Sequence, residues 1–249
     1  MSAQPAAEDV LFLPDGAAVA DLAAYLGRAK RVDPDGAARL VGHGDVLAAY
    51  VSPVHGGGGP TVLGLRTTAL ARPSEVDVTV SLASLNDRFA RLSALPGGQR
   101  PAPYDAGPAA SGPVAFPLPP TPATNASWAG VTPPRRGWQA VGLVTLDALE
   151  QAVRRGVAEV AAGTPPGAGA SAVARLRGMV WGRALLGGQA PSASGGAGAA
   201  DAPAGLAFAA EALGFLRDGR PAALYRSGPW TRLTTSAGHV LARRPSLLT

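Results

Sequence analysis

The chain has 249 residues, of which 22 are basic and 17 acidic, so the formal net charge is +5. It contains no cysteine, which excludes disulfides, thiolate metal sites and a cysteine nucleophile. Its three histidines are too few for a metal site that needs several imidazoles. Lys30 is the only lysine, which is typical of a genome rich in G and C rather than of a function.

The N-terminal residues indicate the compartment. Residues 1–9 carry Glu8 and Asp9 without a basic residue, and the apolar run that follows, 10–13, is too short for a secretory signal. No apolar stretch approaches the roughly 18 residues that a membrane-spanning helix needs. We therefore predict a cytoplasmic protein without a membrane segment.

Residues 1–95 have the pattern of an α+β unit. A strand at 10–13 precedes Asp15, whose carboxylate can cap a helix with an apolar stripe. Four strands and a closing helix follow, and a tight turn is predicted at 42–45, where the sequence is Gly-His-Gly-Asp. The four strands are predicted at 39–41, 46–51, 61–70 and 76–80. Their short connections favour an antiparallel meander.

Residues 96–136 hold 11 of the 24 prolines. Because proline fixes φ and lacks an amide donor, neither helix nor sheet should propagate through them, and we predict a linker or a long excursion. Overlapping P-x-x-P spacings make Phe116, Pro117 and Pro120 candidate partner contacts. Alternatively, the segment lies along the surface of its own protein and is anchored there by the side chains of Phe116 and Trp128.

Residues 137–249 have the pattern of a helical segment that ends in a three-stranded meander. A strand at 138–144 precedes the helices, and residues 187–202 are Gly/Ala/Ser-rich and predict a mobile loop. The helices are predicted at 146–160, 171–186 and 203–217, and the meander strands at 222–226, 230–235 and 239–243. The predicted fold is therefore α+β, with flanking helices and antiparallel meanders in both halves joined by the Pro-rich excursion. Whether the halves share one sheet or form separate domains stays open.

The run of four glycines after His55 resembles the HGGG element of lipase and esterase α/β-hydrolases, which implies amides that bind an oxyanion. The chain contains no G-x-S-x-G nucleophile elbow, and the flanking strands have the pattern of a hairpin rather than of parallel neighbours. A flexible hairpin loop also explains the glycines. The chain lacks a P-loop motif as well, so we predict no catalytic residues, no metal and no cofactor.

Positive charge is concentrated near the C-terminus, because residues 145–249 hold 11 basic and 6 acidic side chains. Arginine beside an aromatic ring can hold phosphates and stack on bases. Candidate anion-binding residues in the final meander are Arg226, Trp230, Arg232, His239 and Arg243. Phe208 and Phe215 lie on nearly opposite faces of the helix predicted at 203–217, so either both faces are buried or one meets a partner.

Together these features predict a non-catalytic soluble binding or adaptor protein that acts through protein–protein contacts, with a separate partner or with itself. The first alternative is weak nucleic-acid or polyanion binding through the basic C-terminal meander, which is disfavoured because its arginines can simply solvate a sheet. The second is an enzyme with an unrecognised site.

Overall fold

The computed structural model describes residues 10–94, 112–123, 126–186 and 201–244. Their helices and antiparallel sheets confirm the predicted α+β class. The strands are β1 (Val10–Leu13), β2 (Ala37–Val54), β3 (Thr61–Ser74), β4 (Asp77–Ser81), β5 (Val114–Pro117), β6 (Gln139–Val144), β7 (Ala222–Ser227), β8 (Trp230–Thr235) and β9 (Gly238–Arg243). The helices are α1 (Gly16–Val32), α2 (Leu82–Ala94), α3 (Leu146–Ala162), α4 (Ala170–Gly182) and α5 (Gly205–Ala212).

The chain forms two compact units. The first contains Met1–Val51 and Arg66–Ala129, and the second contains Ser52–Leu65 and Gly130–Thr249. β2 and β3 therefore each pass from one unit into the other along the sequence, and the loop between them belongs to the second unit.

The first unit packs α1 and α2 against each other beside two sheets, one of β1 and β5 and one in the order β4-β2-β3. Asp15 caps α1, since its carboxylate accepts a hydrogen bond from the Ala18 amide at 2.8 Å, as predicted. Arg66 on β3 holds Asp21 of α1 through two charge-assisted hydrogen bonds of 2.8 and 2.6 Å. The fully buried core of this unit includes Leu13, Leu22, Leu26, Leu40 and Leu85.

The turn predicted at 42–45 is wrong, because β2 continues through it as one strand of 18 residues. A side chain at Gly42 would meet the carbonyl oxygen of Ser74 at 2.5 Å, so this glycine permits a close approach of two chain segments. The Gly44 amide, in turn, donates a hydrogen bond to the Glu75 carboxylate at 3.1 Å. The two glycines lie inside a long strand instead of reversing the chain, so the predicted four strands are three. The predicted meander is also wrong, because β4 pairs with β2 and not with β3, its predecessor in the sequence.

The Pro-rich segment contains a strand, contrary to the expectation that none could form there. β5 pairs with β1, and Phe116 on it is fully buried and stacks on Phe89 with ring centroids 4.6 Å apart. Trp128, in a short 3-10 helix, is 5% exposed. Pro117 stands at the end of β5, where a missing amide costs little. The described part thus lies along its own unit with Phe116 and Trp128 buried, while 95–111 are outside the described residues.

The second unit is a sheet in the order β3-β9-β8-β7-β6, to which β3 contributes Thr61–Leu65. The strand prediction at 138–144 and those of the final meander are confirmed within one or two residues. α5 contacts β9, and α3 and α4 both contact α5. The helix predicted to reach residue 217 ends after Ala212, where hydrogen bonds from Gly214 to Glu211 and from Phe215 to Ala210 close its last turn. The predicted mobile loop falls largely on 187–200, outside the described residues.

Trp181 is the centre of the helical layer in this unit. It is 2% exposed, and its ring stacks on Phe208 of α5 at 4.5 Å. On α3, a Cβ at Gly156 would come within 2.2 Å of the Trp181 ring, so the ring occupies the space that a side chain there would take. The Trp181 ring of α4 thus packs closely against both α3 and α5.

Candidate functional site

The register of the final meander places the predicted anion-binding residues on two different faces of the sheet. Trp230 lies opposite Arg243, while Arg232 and Thr234 lie opposite Leu241 and His239. Because side chains alternate between the two faces of a sheet, one face carries Trp230, Arg232, His239 and Arg243. Arg226 lies opposite Thr231 and so belongs to the other face. We call the first set the basic face.

Arg232 is held between two aromatic rings. Its guanidinium carbon is 4.5 Å from the ring centroid of Trp138 and 4.5 Å from that of Tyr225. Its buried Nε has no hydrogen-bond partner among the residues that the structure describes. Burial lowers the pKa of Arg232, and no described carboxylate forms an ion pair with it. Stacking thus positions the guanidinium, and no acidic side chain in the described part of the chain pairs with its charge.

Two neighbours of Arg232 on the basic face are a second arginine and a histidine. His239 and Arg243 lie diagonally across from it on β9. The Nδ1 atom of His239 is 3.1 Å from the Thr234 hydroxyl, and burial, followed by the charge of Arg232, lowers the pKa of this histidine. Trp230 is 5% exposed, so its ring belongs to the packing of the sheet and is not an open stacking platform.

Arg226 has a different environment from the basic face. Its Nη2 is 3.9 Å from the carboxylate of Asp201, and the carbonyl of the same aspartate accepts a hydrogen bond from Arg244. An acidic residue therefore already compensates Arg226, and the structure does not bring Arg226 together with Arg232 although the two are close in sequence.

The residues predicted to contact a partner lie mainly in the protein's own core. Phe215 is 1% exposed and touches the backbone at Gly238, while Phe208 packs on Trp181. Phe116 is buried as described above. Pro117 is half-buried and Pro120 is exposed. In this fold the two buried rings, Phe116 and Phe215, are not accessible to another protein.

The glycine run after His55 packs against α4. A Cβ at Gly57 would lie 2.4 Å from the carbonyl oxygen of Ala174, and one at Gly59 would lie 2.5 Å from the Cα atom of Gly178. Two backbones therefore touch with no side chain between them. The loop borders an open cleft of about 370 Å³ lined also by Met179, Pro203 and Arg244. Sequence reasoning found these glycines but not the helix that they contact.

Among the described strands of the second unit, β6 is the outermost, and none of them pairs with its outer edge. It ends the strand order, and Gln139, Ala140 and Leu143 on it are exposed, with Leu143 at 51%. None of its six residues is charged and none is proline. A bulge between Ala140 and Gly142 shifts its register against β7. Sequence reasoning predicted this strand but could not show that it is the last in the sheet.

The described ranges hold neither a cluster of metal ligands nor a membrane-spanning helix. No group of three or more histidine, aspartate or glutamate residues within them is placed to hold a metal ion. Among their helices, none is both long and apolar enough to cross a membrane.

Comparisons with known proteins match the chain in two parts. Residues 6–111 match a family model described as a domain of unknown function (DUF8010), and residues 133–247 match another domain of unknown function (DUF8185), each over less than half of the chain. No curated protein matches it.

Solved structures similar to the chain include two sliding clamps from Caulobacter crescentus. The beta sliding clamp with bound PEG is 16% identical with a TM-score of 0.47, over 96% of this chain and 66% of that one. The DNA polymerase sliding clamp is 15% identical with a TM-score of 0.47, over 94% and 65%. The chain thus spans about two thirds of the length of these clamps.

Proposed function

We propose that this is a non-catalytic binding protein that acts through protein–protein contacts, and that the open edge of β6 is a contact surface. The observation that carries the proposal is an uncharged outermost strand with a large apolar side chain, Leu143, half exposed at it. An extended partner segment would add to this edge as a further strand.

The physical reason is the hydrogen bonding of a sheet edge. An outermost strand presents a row of N–H and C=O groups that can pair with another chain. Proteins commonly block such edges with lysine, with proline or with inward-pointing charges, and β6 has none of these. Its one protective feature is the bulge between Ala140 and Gly142. A bulge bends and twists its strand locally, so it favours a partner whose shape fits this edge over indiscriminate aggregation.

Leu143→Lys tests this proposal. A lysine at the edge would place a charge where a partner strand must pack, and we expect association to weaken at least about tenfold, a change of about 1.4 kcal/mol. The matched control is Val157→Lys on α3, because Val157 is 48% exposed and the charge change is the same. Light scattering would report self-association, and affinity capture with the immobilised full chain would report other partners.

The two variants separate the outcomes. Association that is lost in Leu143→Lys and retained in Val157→Lys supports the β6 edge. A wild-type chain that is monomeric and captures nothing contradicts the proposed function, and equal effects of both variants contradict the role of β6.

A second candidate function is weak binding of polyanions through the basic face. It is favoured by the stacked guanidinium of Arg232, which lies near His239 and Arg243 without a described carboxylate partner. Planar stacked arginines suit phosphate groups because their outer donors are preorganised.

Binding of a single-stranded oligonucleotide at low salt tests this candidate. We expect affinity to fall steeply with salt, and to fall about tenfold further in Arg243→Gln and in Arg232→Ala. Arg226→Ala, on the opposite face and beside Asp201, is the control and should bind within about twofold of wild type. An equal loss in all three variants, or no binding at low salt, would exclude a site at the basic face.

A further inference from the structure

We infer that the β6 edge pairs with β6 of a second copy of this chain, antiparallel and about a two-fold axis. The inference rests on the proposed function, since both require an open β6 edge, and it goes further by naming the partner and the register. It follows from the way charge is arranged along the edge.

The two ends of the edge carry opposite charges. Arg135 and Arg136, just before β6, are exposed, and neither forms an ion pair with a residue in the described part of the chain. Asp147, in the first turn of α3 just after β6, is exposed and has no ion pair with a described residue either. The edge is therefore positive at its start, uncharged along the strand and negative at its end.

An antiparallel arrangement makes this pattern self-complementary. Full overlap of two β6 strands sets Gln139 opposite Val144 of the second copy and Ala140 opposite Leu143 of the second copy. Arg136 stands three residues before β6 and Asp147 three residues after it, so this pairing brings the segment that carries Arg136 beside the segment that carries Asp147 of the second copy, and two-fold symmetry forms this contact twice. A parallel arrangement would instead set like charges together at both ends. The charge pattern thus selects the antiparallel pairing.

The side chains along the edge agree with this register. Leu143 is half exposed in the single chain, and in the pair each copy of it would cover the small Ala140 of the other. A contact built on one six-residue strand is small compared with the interfaces of permanent dimers. We therefore expect a weak dimer whose population depends on concentration.

A charge-reversal experiment tests the register. Arg136→Asp and Asp147→Arg each create two repulsive contacts in a symmetric pair, so each alone should weaken dimerisation at least about tenfold. The double variant restores opposite charges and should dimerise within about threefold of wild type. An equimolar mixture of the two single variants should also associate. Positions 136 and 147 are both acidic in the first variant and both basic in the second, so a mixed pair places opposite charges at both contacts.

Sedimentation of the full chain up to about 0.5 mM would measure these equilibria. Arg217→Asp is the control, since it makes the same charge change at an exposed arginine that belongs neither to β6 nor to its flanking segments, and it should leave dimerisation unchanged. Rescue in the double variant and in the mixture supports the inference.

Two results would overturn it. One is a wild-type chain that stays monomeric over the whole range, and the other is a dimer that both single reversals leave intact. If the chain stays monomeric but captures another protein in a manner that depends on Leu143, the partner is not a second copy. That result would leave the proposed function standing. If Leu143→Lys changes no association of any kind, both fail.

Discussion

Gly57→Ala is expected to lower the free energy of unfolding by about 3–4 kcal/mol, whereas Gly58→Ala, at the next residue, should lower it by about 1 kcal/mol. Both glycines adopt left-handed backbone conformations, with φ of +62° and +76°, so an alanine has a similar conformational cost at either position. The difference between the two substitutions therefore reports packing alone.

The atoms nearest to Gly57 belong to the backbone of α4 and have little room to move away from an added Cβ. The Cβ at Gly57 would lie 2.4 Å from the Ala174 carbonyl oxygen, which is fixed in α4, while the Cβ at Gly58 would meet nothing within 4 Å. A backbone clash is relieved only if the loop or the helix moves. Chemical denaturation of both variants, with one slope for all curves, would give the two free energies. Equal losses in the two variants would show that the loop does not depend on contact with α4.

Gly156→Ala and Gly27→Ala are expected to act in opposite directions. Alanine is favoured over glycine inside a helix by about 1 kcal/mol, so Gly27→Ala in α1 should stabilise the protein by about 0.5–1 kcal/mol. Its Cβ would meet only Asn86, at an ordinary 3.7 Å. In α3, the same change at Gly156 places a Cβ 2.2 Å from the buried Trp181 ring, and we expect a net loss of about 2 kcal/mol.

A double-mutant cycle identifies the cause at Gly156. Trp181→Leu alone leaves a cavity and destabilises the helical layer, but it also removes the atoms that an alanine at 156 would strike. The cost of Gly156→Ala should therefore shrink by about 1 kcal/mol or more in that background. Thermal unfolding of the four proteins measures the coupling. Stabilisation by Gly156→Ala in the wild type would contradict the contact.

Local signals in the sequence predicted most of the elements. The Asp15 cap, the helices α1 and α3 and the strand β4 each follow from the residues of their own segment, and each was confirmed. The wrong predictions concern segments whose structure depends on contacts with residues far away in the sequence. Gly42 has the composition of a turn, but Ser74, 32 residues later, is what makes a glycine necessary there. β5 forms because β1 is available as a partner, and no local property of 114–117 reveals that.

The candidate sites show the same limit. Trp230 and Arg232 lie on one strand face, and period-two alternation is enough to derive this because both belong to a single strand. Arg226 was grouped with them because it is near in sequence, although its face depends on register between strands. The stacking of Trp138 on Arg232 joins residues almost one hundred positions apart, and the open edge of β6 depends on the order of all strands in the sheet.

The loop between β2 and β3 has a consequence for how this gene can be divided. Residues 52–65 lie within the first family match, 6–111, yet they belong to the second unit. There Thr61–Leu65 of β3 pairs with β9. A recombination event between the two matched regions would leave β9 without its neighbouring strand. The two halves are separate in sequence classification, but they should be inherited, exchanged or duplicated together, because the second half obtains one of its strands from the first.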